Sequence, residues 1–145
     1  MTIFIDADGC PVVDSTIRIA KQAGVNCTLV CDTAHVFKKD GATTITVPKG
    51  KDSVDFALVN MITEGDIVVT QDYGLAAMCI ARKATPIRQD GLVYTADNID
   101  WLLMQRYTAQ QIRRSGKNAR GLSSGLPKHD GSFEENLRKL LGEKG

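Results

Sequence analysis

An α/β sandwich built on a mainly parallel sheet of about five strands is the fold class that this sequence predicts, and two observations predict it. Five short apolar or β-branched runs alternate with stretches of helical periodicity. Three of the runs are almost wholly apolar rather than alternating, as strands covered on both faces should be. With 145 residues, 43% hydrophobic and 24% charged, the chain is expected to form a single globular domain spanning 1–145.

The elements follow in order. Residues 2–6 form a strand that carries no charge before Asp6. Gly9 and Pro11 break it and open a helix from Pro11 to about Ala23, with Val13, Ile17 and Ala20 on one face and Gly24 as its stop. Asn26 to Cys31 is a second buried strand, halted by Asp32. His35 to Gly41 is polar and ends in a Lys-Lys-Asp-Gly turn. Thr43 to Val47 gives a third strand, closed by Pro48. Asp52 is expected to cap a second helix whose buried face is Val54, Leu58, Met61 and Ile62. Ile67 to Thr70 is a fourth strand, terminated by Gln71-Asp72, and Leu75 to Arg82 a third helix. Thr85-Pro86-Ile87 reads as a short strand near an edge, since proline cannot complete a ladder. Asp97 or a neighbour should cap a helix through Trp101 to Leu103, and the Thr108-x-x-Gln111 pattern should start another. Residues 115–131 are rich in Gly, Ser and basic side chains without apolar period, so a loop or mobile segment is expected. Ser132-x-x-Glu135 then caps a last helix over about 132–141, with Phe133, Leu137, Leu140 and Leu141 on its stripe.

Charge is unevenly placed although the formal net value is only +1. Residues 1–100 carry 9 basic and 13 acidic side chains, residues 101–145 carry 9 and 4. An acidic body with a basic tail suits a cation at one end of a site and a polyanion at the other. No basic segment followed by a long apolar core opens the chain, and no run approaches the ~18 apolar residues of a membrane span. A cytoplasmic protein without membrane contact is therefore expected. Cys10, Cys27, Cys31 and Cys79 form no C-x-x-C, and His35 and His129 lack metal spacing, which favours reduced thiols over a zinc site.

The chemistry is expected at the strand ends. Ile5-Asp6-Ala-Asp8 and Thr70-Gln-Asp72 both place carboxylates at the carboxyl end of a strand, where open α/β sheets hold ligands. Asp52 and Asp55 are three apart and face one side of a helix start. Two like charges about 4 Å apart cost on the order of 4 kcal/mol at an effective dielectric near 20, so such a group needs protons or a cation. Mg²⁺ or Mn²⁺ suits oxygen ligands and supports phosphodiester hydrolysis. The expected metal set is Asp6, Asp8, Asp52, Asp55 and Asp72. Each also has a plainer reading: Asp8, Asp52 and Asp72 precede helices and could cap them, and Asp55 complements a helix dipole. Asp6 has no such alternative.

The runs Asp6-Ala-Asp8-x-Cys10-Pro11-Val12, Gly50-x-Asp52-x-x-Asp55 and Gly65-Asp-Ile-Val-Val-Thr-Gln-Asp72 resemble the YaiI/YqxD family, a divergent relative of PIN-domain nucleases. The resemblance covers roughly residues 2–140. It implies a five-stranded parallel sheet with the first strand central, and a PIN-like site with Asp6, Asp55 and Asp72 as its catalytic acids, Asp8 and Asp52 being additional family positions. The tail departs from the family pattern at Ser123-Ser-Gly-Leu-Pro127 and Asp130-Gly-Ser.

Asp6-Ala-Asp8-Gly9 also resembles the opening of haloacid-dehalogenase-type phosphatases, in which Asp6 would be a nucleophile. Those enzymes carry Thr where this chain has Cys10, and their later Gly-Asp pair follows a strand, whereas Gly65-Asp66 precedes one. A third reading is a non-catalytic, RNA-binding PIN-like module. Arg106, Arg113, Arg114, Lys117 and Arg120 are the expected phosphate contacts to nucleic acid, RNA ahead of DNA. The plainer reading of that run is a solvated helix face. Lys49 and Lys51 flank a helix start but belong to no P-loop pattern.

Overall fold

The structure is a computed structural model that describes residues 1–32, 38–50, 52–114 and 131–142, the side chains of residues 106, 109, 110 and 112–114 apart. Residues 35–37 of the expected polar stretch fall outside the described residues, as does the Gly/Ser-rich segment up to residue 130, while its Lys38-Lys39-Asp40-Gly41 end lies within them and turns at Asp40-Gly41, with Gly41 at φ 85°. Within them, strands β1 (Thr2–Asp6), β2 (Asn26–Asp32), β3 (Thr43–Val47), β4 (Ile67–Val69) and β5 (Thr85–Ile87) form one parallel sheet in the order β3-β2-β1-β4-β5. The first strand is central, and the proline-bearing strand lies at an edge.

Alternation along β1 divides the core. Ile3 and Ile5 pack with Ile17, Leu29 and Val69 beneath helix α1 (Val13–Ala23), joined by Phe133 and Leu137 of α5 (Phe133–Leu140). Phe4 packs on the opposite face with Val30 and Val68, against Leu58 and Ile62 at α2 (Ser53–Met61) and Leu75 and Cys79 of α3 (Tyr73–Ala81). Helix α4 (Ala96–Arg114) lies on α3 through Leu102, Ile99 and Ala76. The result is a three-layer sandwich.

Several helix ends differ from expectation. Asp8 does not cap α1: Ala7 to Cys10 close a turn, the Cys10 N–H donating to the Ala7 carbonyl at 3.1 Å, and Val12 occupies the cap position without a side-chain bond. Asp52 does occupy the cap position of α2, but in the left-handed region (φ 62°), and its carboxylate makes no cap bond. The cap of α4 lies near Asp97, as expected, and is Thr95. Its hydroxyl accepts from the Asn98 N–H at 3.1 Å while the Asn98 side chain accepts from the Thr95 N–H at 2.9 Å, a capping box with an amide in place of Glu. No helix starts at Thr108, because α4 runs unbroken for 19 residues through it. Asp72 and Ser132 cap as expected, accepting from the N–H of Leu75 and Glu135.

Two glycines are required by geometry. Gly24 ends α1 in the left-handed conformation (φ 69°). Gly91 (φ 102°) lies so close to the start of α5 that an added Cβ would stand 2.8 Å from the Ser132 carbonyl carbon. Its carbonyl accepts from the Asn136 side chain at 2.8 Å, which fixes α5 to the sheet edge. No helix among the described residues is long and apolar enough to cross a membrane.

Candidate functional site

The acidic residues meet at the carboxyl rim of the sheet because of register. Ile5 of β1 pairs with Val69 of β4, so Asp6 and Thr70 emerge side by side and on the same face as Phe4 and Val68. The Thr70 hydroxyl donates to Asp6 Oδ2 at 3.0 Å and accepts from the Asp72 N–H at 3.0 Å. One buried threonine thus fixes both acidic turns. Asp72 is held further by its cap bond to the Leu75 N–H at 3.1 Å. Below, the buried Tyr94 hydroxyl donates to the Thr70 carbonyl at 3.2 Å, and its ring meets Tyr73 edge-on at 5.9 Å between centroids.

Asp55 reaches the same place from the first turn of α2 and lines one cleft with Asp52 and Asp72. Burial pushes Asp55 up to about 7, and the charges of Asp72, Asp6 and Asp52 add to it. Asp6 is pushed up to about 6, again first by burial and then by Asp72 and Asp8, against the opposing bond from Thr70. All five expected aspartates therefore act on one another electrostatically. Asp6, Asp55 and Asp72 form the centre, while Asp8 and Asp52 stand beside it. Asp52, one of two non-glycine residues at positive φ among the described residues (Lys83 is the other, away from the cluster), borders this cluster.

Two depressions flank the cluster. A small pocket of about 60 Å³ lies between the ends of β1 and β4, lined by Asp6, Asp8, Thr70, Asp72 and the bonded amides of Gln71 and Gln89. That space holds an ion and a few waters, not an organic cofactor, which needs roughly 300 Å³ or more. An open cleft of about 360 Å³ lies on the other side of Asp72, between Asp52 and Asp55 of the α2 turn and Gly74 and Met78 of α3. Among the described residues, no three His, Cys, Asp or Glu side chains are already grouped as a metal cage. The donor set nonetheless fits a hard divalent cation: it is all oxygen, largely half-buried, and mutually repulsive when ionised.

The thiols offer less. Cys27, Cys31 and Cys79 are buried, Cys10 half-buried, and all four are free. Burial raises Cys27 to about 11 and Cys79 to about 12, so neither is a thiolate at neutral pH. Of the expected nucleic-acid contacts, Arg106, Arg113 and Arg114 lie on α4, but their side chains are outside the described set, as are Lys117 and Arg120 altogether. Lys49 is exposed and Lys51 is outside the described residues. Thr70 was not among the residues that sequence pattern singles out; its only signal is a hydroxyl ending an apolar strand two positions before an aspartate.

A pH dependence follows from the raised carboxyls. Folded Asp6 and Asp55 bind protons more tightly than they do in the unfolded chain, where both sit near 3.8. The stability they contribute is full below pH 4 and is lost as pH rises through about 6 and 7. The melting temperature in EDTA is expected to fall between pH 5 and pH 8, and Asp55→Asn to flatten that fall. An unchanged slope in the variant would place the acidic repulsion elsewhere.

The model of the uncharacterised YaiI/YqxD family matches residues 4–143. A UPF0178 protein of Exiguobacterium sibiricum is 55% identical over 144 residues, covering 99% of each chain. Proteins of the same name from Ruminiclostridium cellulolyticum and Alkaliphilus oremlandii are 44% and 43% identical, covering 94% and 99% of this chain and 90% and 92% of their own. These names state no activity. No solved structure matches.

Proposed function

The chain belongs to the YaiI/YqxD family, and from that premise together with the acidic rim we propose that it is a divalent-cation-dependent phosphodiester hydrolase acting on nucleic acid, RNA first among the substrates to try. One observation carries this reading: carboxylates from the end of β1, the first turn of α2 and the cap of α3 converge on one rim, Asp72 lining both the pocket that holds Asp6 and the cleft that holds Asp55. Such a cluster is unstable in proportion to its ionisation, and a doubly charged cation relieves it.

Asp6, Asp55 and Asp72 would hold Mg²⁺ or Mn²⁺, with Asp8 and Asp52 adding negative potential at the margin. When bound, the cation supplies charge neutralisation at a phosphoryl oxygen and a more acidic water. The protein's own part is positional. Thr70 holds Asp6 and Asp72 at a fixed separation, and Tyr94 anchors Thr70 from below. A raised carboxyl such as Asp6 or Asp55 can also accept a proton near neutral pH. The basic residues of the α4 end and beyond are the counterpart for distant phosphates.

The cleft that Asp55 shares with Asp72 favours this reading over a phosphatase using Asp6 as nucleophile, which has no use for Asp55. The test is cleavage of end-labelled single-stranded RNA and DNA 20-mers by the full chain with Mn²⁺ or Mg²⁺. Cation-dependent shortening supports the proposal. Intact oligonucleotides, with neither cation shifting the melting temperature, would leave the binding module as the better reading.

A further inference from the structure

The open cleft beside the acidic cluster has an apolar wall that the hydrolytic reading leaves unused. Phe56 follows Asp55 in the first turn of α2 and is 63% exposed; Met78, one turn from the end of α3, is 38% exposed. Both line the cleft together with Asp52, Asp55 and Asp72, Phe56 from α2 and Met78 from α3. Large apolar side chains are costly to leave in water, and both border the candidate site. Gly74 also lines it. A Cβ there would come 3.3 Å from Asp72 Oδ1, so its lack of a side chain keeps the cleft open down to the carboxylate.

The chemistry of the cleft selects its occupant. Its lining combines an aromatic ring and a polarisable thioether, suited to a planar ring, with carboxylates that would attract an anion once a cation is bound. A group that is planar at one end and anionic at the other suits both parts of this lining, and a nucleotide within a chain has that form. An apolar protein segment would suit only the first part and would desolvate the carboxylates. We propose that Phe56 and Met78 seat the nucleobase adjoining the phosphate held at the acidic rim. This rests on the reading of that rim as a phosphodiesterase site.

The test separates base from phosphate. The affinity of the full chain for a fluorescein-labelled single-stranded 12-mer is compared by anisotropy with that for an abasic 12-mer of equal charge, in Ca²⁺. Contacts to distant phosphates cancel in the ratio of the two. Phe56→Ala is expected to reduce that ratio roughly 5- to 100-fold, the range for loss of one base stack, and Phe56→Trp to preserve it. Met78→Ala should lower it less. Phe56 is exposed, so the variants keep the fold. A ratio unmoved by Phe56→Ala overturns the base seat, even if Mn²⁺-dependent cleavage is found. A ratio that responds without cleavage supports the seat and removes the hydrolase. Absence of binding to either oligonucleotide overturns the seat outright.

Discussion

Asp55→Asn is expected to reduce cation-dependent cleavage by about 10²- to 10³-fold, the range for removing one preorganised electrostatic group from an active site. In the same variant the melting temperature in EDTA at pH 8 should hold or rise. The two effects have one origin. Asn matches Asp in shape and places no charge beside Asp72, Asp6 and Asp52. The metal-free fold thereby loses a repulsive charge. What Asn cannot supply is the negative oxygen a cation needs, so the change that relieves the empty cluster disables the loaded one. Activity is read as kcat/KM on labelled RNA in Mn²⁺, and stability by thermal melting. Full activity in Asp55→Asn would remove Asp55 from the site and revive the Asp6-nucleophile reading. Lost activity with a collapsed melting temperature would mean that Asp55 serves the fold instead.

How far the sequence disclosed this site depends on which residues act through local pattern and which through register. Buried parallel strands read as continuous apolar runs, so Ile3–Ile5, Leu29–Cys31 and Ile67–Val69 were legible, and each ends in or near an aspartate on the same rim. The central place of β1 came from the family resemblance, since nothing in the run itself orders the strands. Capping was less legible. Asp97 and Thr108 both have the residue type of a helix start, yet the paired bonds of Thr95 and Asn98 decide where α4 begins, and one helix continues through Thr108 without a break. Asp52 has a cap's position but a backbone that keeps its carboxylate from capping. Thr70 and Phe56 were silent for another reason. Thr70 matters only because β4 lies beside β1 in one register, and Phe56 only because α2 and α3 leave a cleft between them. Neither relation is a property of neighbouring residues.

Asp66→Ala is expected to destabilise the fold by about 3 kcal/mol, although Asp66 takes no part in the site. It is 5% exposed, in a turn that sequence pattern marks only as the entry to β4. Its Oδ1 accepts from the Thr2 N–H at 3.0 Å; its Oδ2 accepts from the Thr63 N–H at 2.9 Å and from the Thr63 hydroxyl at 3.1 Å. The carboxylate thus joins the start of the central strand to the turn that launches its neighbour. Hydrogen bonds to a charged group contribute about 1.5–3 kcal/mol each, and a donor left buried without a partner costs about 1–3 kcal/mol. The bonds share one group and do not add fully, so a total near 3 kcal/mol follows, or a fall of about 10 °C in melting temperature for a chain of this length. Asp66→Asn should cost less, because its carbonyl oxygen keeps one of the two accepting positions while its amide faces a donor at the other. The β1–β4 pairing that Asp66 secures is the same pairing that brings Asp6 beside Thr70. Residual folded Asp66→Ala protein should therefore also show a weaker melting shift with Mn²⁺ than the parent. An equal shift would mean that the acidic rim is set by its own hydrogen bonds and not by the anchoring of the opposite end of the sheet.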